Sequence, residues 1–146
     1  MIRSASPDEL PALSALARRS KAHWGYTAAF LSACEGELQV AARQRAFVAT
    51  ADGAIVGFYS LEHLEKTVAE LSHLFVEPEH IGRGHGRALL QHAAAQARGE
   101  GYLRLNIQGD PNAASFYLTC GATYVGEEPS LSISGRTLPC FELHLD

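Results

Sequence analysis

The sequence predicts an α+β fold, a sheet with helices packed on its faces, and three observations predict it. Strand-like and helix-like segments come in mixed order: a strand, two helices, three strands, a helix, a strand, a helix and two strands. Two apolar runs, 46–50 and 54–61, are joined at Asp52-Gly53, a dipeptide that closes tight hairpins. A third run, 68–76, leads through Glu77-Pro78 into IGRGHGRALL (81–90), where a glycine-rich turn becomes an amphipathic helix. The 146 residues fit one domain, 1–146.

Each element has a local reason. Residues 2–6 read as a short strand. Ser6 then caps a helix with Pro7 at its first position and Glu9 reaching back as a capping box. Leu10, Leu13, Leu16 and Ala17 recur at helical spacing, and Trp24-Gly25-Tyr26 ends that helix. A shorter helix covers 27–34. Beyond the glycine turn, Ala88, Leu89, Leu90, Ala93, Ala94 and Ala97 form one apolar stripe, and Gly99 and Gly101 stop the helix. Residues 103–107 read as a strand and 111–119 as a short helix after Asp110, stopped by Gly121. Residues 123–125 and 138–145 read as the last two strands.

Composition excludes several functions. Twelve basic against 16 acidic side chains give a formal charge of −4, a poor match to a nucleic-acid backbone. No apolar run approaches a membrane span, and MIRSASPDEL has no apolar signal core. The three cysteines, Cys34, Cys120 and Cys140, form no CxxC pair, which reads as reduced thiols in a cytoplasmic protein. Glu62, His63 and Glu65 lack a spaced partner ligand, so no metal is expected.

The glycine turn carries chemistry. The first N–H groups of a helix have no internal partner, and the helix dipole favours an anion there. Glycines let that backbone approach a phosphate, and Arg83 and Arg87 add charge. The turn is not a Walker loop, because Arg87-Ala88 stands where Lys-Ser/Thr is needed, and a dinucleotide fingerprint would end on Arg87 instead of glycine.

Residues 69–101, AELSHLFVEPEHIGRGHGRALLQHAAAQARGEG, resemble the acetyl-CoA-binding core of the GNAT superfamily of N-acetyltransferases. The resemblance continues in DPNAASFYLTCGA (110–122), SKAHWGY (20–26) and ISGRTLPCFELHL (133–145), in effect across the chain. It implies a three-layer arrangement: a mixed, mostly antiparallel sheet of six to seven strands with helices on both faces. It also implies direct transfer of acetyl from acetyl-CoA to a primary amine of a small molecule, and it suggests a homodimer. Where the family usually opens the loop with Arg or Gln, this chain has Ile81, so the loop would hold its anion through backbone N–H groups.

The resemblance assigns the cosubstrate site to Leu74, Phe75 and Val76 on the strand, to Gly82, Arg83, Gly84, His85, Gly86 and Arg87 in the loop, and to Asn112 and Phe116. It makes Glu70 the base that deprotonates the amine and Tyr117 the acid that protonates the leaving thiolate. His73, an odd number of residues from Glu70, would point to the other face of the strand as a packing residue. His23, Trp24 and Tyr26 fall where the family builds its acceptor pocket. Two other readings stand beside this one: an acyl-CoA-binding sensor of the same fold with little catalysis, and a regulator that binds another nucleotide phosphate.

Overall fold

A computed structural model describes all residues from Met1 to Asp146. Its strands are β1 (Ile2–Ser4), β2 (Arg45–Ala51), β3 (Ala54–Glu65), β4 (Val68–Val76), β5 (Arg104–Gln108), β6 (Thr123–Pro129) and β7 (Thr137–His144). Its helices are α1 (Leu10–Ala22), α2 (Ala28–Ala33), α3 (Glu35–Leu38), α4 (His85–Gly99) and α5 (Ala114–Thr119). The strands form one seven-stranded sheet in the order β1-β2-β3-β4-β5-β7-β6. Only β4 and β5 run parallel; every other neighbouring pair is antiparallel. No helix is long and apolar enough to cross a membrane.

Local chemistry accounts for most boundaries. Ser6 and Glu9 form the capping box, here on a 3-10 turn at Pro7–Glu9 that leads into α1. Thr27 caps α2 by accepting the Phe30 N–H at 3.1 Å. Asp52 (φ 52°) and Gly53 (φ 79°) both adopt the left-handed conformation that a two-residue hairpin demands. The expected helix 111–119 divides into a 3-10 turn at Pro111–Ala113 and α5, and the strand expected at 123–125 extends to Pro129. The one-turn helix α3 carries no strong sequence signal.

Two cores sandwich the sheet. On one face Leu89, Leu90, Ala93 and Ala97 of α4 pack against Tyr59, Leu61, Leu71 and Leu105. On the other, Leu13, Leu16 and Ala17 of α1 meet Val48 and Phe58. Each fully buried leucine contributes about 1.5–3 kcal/mol, so the apolar stripes of α1 and α4 fix which helix covers which face.

The parallel pair positions the site. β4 pairs with β5 only from Val68 to Leu71, whereas its pairing with β3 continues to Val76. The two strands therefore part after Leu71, leaving Ser72–Val76 with a bare edge on the β5 side. Glu77 N–H donates to the Val56 carbonyl at 2.8 Å. Alternation along β4 then turns the N–H and C=O of Leu74 and Val76 towards the opening.

Candidate active site

The glycine loop borders this opening. Gly82 (φ 86°) and Gly84 (φ 85°) take left-handed conformations, and Gly84 is the N-cap of α4. The N–H groups of residues 82 to 87 make no hydrogen bond within the chain, whereas Ala88 N–H already bonds the Gly84 carbonyl at 3.1 Å. Six consecutive free donors, three of them in the first turn of a 15-residue helix, suit a pyrophosphate. Gly86 has a different reason: a Cβ there would stand 3.3 Å from the Phe116 ring. The loop lies against α5 through that contact. Arg83 and Arg87 are exposed, as is Ile81 (42%).

Tyr117 sits on the far side of the opening. Its ring packs on Phe116 and Phe141, with centroids 5.2 and 5.4 Å away. Gly109, just beyond β5, admits it: a Cβ there would lie 3.0 Å from the ring. Burial pushes the phenol well above its ordinary value, so the hydroxyl is a proton donor at neutral pH. It makes no hydrogen bond within the chain.

Glu70 lies directly opposite Glu62 on β3 and beside Asn106 on β5. Burial, and then the negative charge of Glu62, push its carboxyl above the usual range. A register shift between Ser60 and Leu61 leaves Ser72 as an extra residue on β4. This overturns the expectation for His73. His73 pairs with Ser60 and Glu70 with Glu62, and residues 60 and 62 share a face, so His73 and Glu70 face the same way. His73 is a buried packing residue. Its Nε2–H donates to the Glu37 carbonyl at 3.0 Å, and its Nδ1 accepts from the Ser60 hydroxyl at 2.6 Å. Burial lowers its pKa, so it stays neutral.

Asn112 is occupied by its own surroundings. Its Nδ2 donates to Tyr26 Oη at 3.0 Å and to Asp110 Oδ1 at 2.8 Å, and Asp110, not Asn112, caps the turn. Of the acceptor-side candidates, Tyr26 enters this network by donating to Asp110 Oδ2 at 2.9 Å. His23 and Trp24 remain outside it, edge to face at 5.5 Å. The network contains two residues that the sequence alone did not single out, Lys21 and Arg136. Lys21 follows Leu13, Leu16, Ala17 and Ser20 on the buried stripe of α1, a position where a lysine needs a partner. For Arg136 no comparable signal exists. The cysteines are all unpaired, and no group of metal-ligating side chains occurs.

Residues 42–121 match the family model of the acetyltransferase (GNAT) domain. Over 70 residues the chain is 40% identical to mycothiol acetyltransferase of Streptomyces griseus subsp. griseus, covering 48% of this chain and 22% of that protein. Over 98 residues it is 36% identical to streptothricin acetyltransferase of Streptomyces lavendulae, covering 62% and 50%. The chain thus spans half or less of the length of these curated relatives. Its fold matches a GCN5-related N-acetyltransferase from Rhodopseudomonas palustris (TM-score 0.78, 24% identity, 99% and 95% of the two chains). It also matches the PaiA N-acetyltransferase of Thermoplasma acidophilum in complex with coenzyme A (TM-score 0.76, 21% identity, 99% and 98%).

Proposed function

The chain belongs to the GNAT acetyltransferase family, and from that membership we propose that it moves an acetyl group from acetyl-CoA to a primary amine of a small molecule by direct transfer. The observation that carries this reading is the opening between β4 and β5, where the outward backbone of Leu74 and Val76 adjoins the six free N–H groups of residues 82–87.

Acetyl-CoA supplies the activated acyl group. The loop N–H groups would hold its pyrophosphate, with Arg83 and Arg87 adding charge at the rim. Leu74 and Val76 would bond the pantetheine arm as an added strand does, and the Val76 N–H would polarise the thioester carbonyl. An alkylammonium, with a pKa of about 10, must lose a proton before it attacks. Glu70 is the assigned base, and its raised pKa brings it nearer the working range of a proton acceptor. Tyr117 is the assigned acid for the departing thiolate.

A weakly catalytic acyl-CoA sensor remains the second reading, favoured by Ile81, an exposed aliphatic side chain where the family resemblance leads one to expect Arg or Gln. Thermal unfolding with CoA, acetyl-CoA, ATP and NAD tests the site first. Stabilisation by the CoA species alone is expected, and stabilisation only by ATP or NAD overturns both readings. Thiol release from acetyl-CoA across an amine panel then separates enzyme from sensor.

A further inference from the structure

Lys21, Tyr26, Asp110 and Arg136 come from the end of α1, the α1–α2 connection, the segment just after β5 and the connection leading into β7. Lys21 Nζ lies 3.2 Å from Asp110 Oδ2, and Arg136 Nη2 lies 3.4 Å from the same oxygen and donates to Tyr26 Oη at 3.1 Å. Both cations lie over the stacked rings of Tyr26 and Phe30, Arg136 at 4.8 Å from the Phe30 centroid. Burial alone would raise the Asp110 carboxyl, but the Asn112 N–H, Lys21 and Tyr26 more than offset it, so Asp110 is ionised.

Two features of this cluster are unbalanced. Two cations share one salt-bridge carboxylate, so one positive charge has no paired partner in a largely buried setting (side-chain exposure 9% for Lys21, 16% for Arg136). Arg136 Nη1 is fully buried and has no hydrogen-bond partner, the one such side-chain atom in the chain. A buried charged donor without an acceptor is costly, and here it belongs to a cluster whose two cations share a single salt-bridge carboxylate.

The cluster also lies where an acceptor would enter. Asp110 follows β5 at the end where β4 and β5 part. Lys21 belongs to α1, which covers the face that carries His73 and, by register, Glu70. A purely polycationic amine would meet repulsion there.

We propose that Lys21 and Arg136 form a carboxylate subsite, and that the amine acetylated by this protein carries a carboxylate group. This rests on the acetyltransferase reading of the site. One monoanion balances the charge of the cluster and supplies an acceptor for Nη1; a phosphate dianion would overshoot it. Nη1 is covered in this state, so entry of the carboxylate requires the Arg136 side chain or its neighbours to shift.

The test uses product-like probes, so it does not depend on turnover. In the presence of CoA, thermal unfolding is measured with N-acetylglycine and other N-acetylated amino acids, and with their neutral amides. Greater stabilisation by the carboxylates is expected in the unsubstituted protein, reduced in Arg136→Gln and in Lys21→Gln. In thiol release, free amino acids are expected to exceed their amides by about tenfold or more in kcat/KM, chiefly through KM. Equal or better binding of the amides overturns the proposal, and so does a preference that both variants retain in full. If a variant does not fold, the contrast in the unsubstituted protein still decides. Carboxylate-selective stabilisation without thiol release from any amine would overturn the acetyltransferase reading and leave the subsite standing.

Discussion

Glu62 and Glu70 stand directly opposite each other on β3 and β4, and their surroundings divide them. Glu62 accepts hydrogen bonds from Gln44, Ser72 and Arg43 at 2.9, 2.7 and 3.1 Å, and these hold its carboxyl below the usual range. Glu70 has no such donors and is raised by burial and by the charge of Glu62. Two like residues one strand apart are thus pushed to different acidities, a common arrangement where one must accept a proton.

If Glu70 is the base, kcat/KM rises with pH as Glu70 ionises. Replacing Glu62 with Gln removes a negative neighbour and lowers the Glu70 pKa, so the acidic limb of the pH–rate profile is expected to move to lower pH. Glu70→Gln is expected to abolish that limb and slow turnover about 100-fold. An unmoved limb in Glu62→Gln would remove Glu70 from the base role.

Stability should move the opposite way to activity. A carboxyl whose folded pKa is raised favours the folded state fully below its unfolded pKa of about 4.3, and that contribution is lost as pH rises through the folded pKa. At neutral pH, ionised Glu70 is therefore a cost. Glu70→Gln is expected to raise Tm at pH 7.5 by more than at pH 4, measured by thermal unfolding at both.

The loop glycines should differ in kind. Gly84→Ala places a Cβ on a residue at φ 85° and is expected to cost about 1–2 kcal/mol, while weakening CoA binding by distorting the first turn of α4. Gly86→Ala keeps an ordinary backbone but sets a Cβ 3.3 Å from the Phe116 ring. It should cost less stability and act on turnover through the displacement of Phe116 against Tyr117. Denaturant unfolding and CoA titration of both variants read the difference.

Tyr117→Phe retains the ring that packs on Phe141 and against Gly109. Its Tm is expected to stay close to that of the unsubstituted protein, while kcat falls about 100-fold with little change in KM for acetyl-CoA. Full turnover in this variant would show that another group, or water, protonates the thiolate.

Much of this arrangement was legible locally. Ser6, Pro7 and Glu9 announce the start of the first helical segment, Asp52-Gly53 closes the β2–β3 hairpin, and Gly82 and Gly84 mark the left-handed turn into α4, because each depends on φ angles and hydrogen bonds within a few residues. The face of His73 was not legible. Counting by twos along β4 assumes an unbroken ladder, and the extra residue at Ser72 changes the parity.

The sequence by itself determined the elements, the glycine turn and the family resemblance, all written in short-range spacing and turn chemistry. The tertiary structure decided where β4 and β5 part, which side chains share a face with Glu70, and that Lys21 and Arg136 meet at Asp110. Those contacts join residues 89 and 26 positions apart in the chain. No local periodicity encodes them; they arise when the apolar faces of α1 and α4 are buried on opposite sides of one sheet and the connections between strands are carried along.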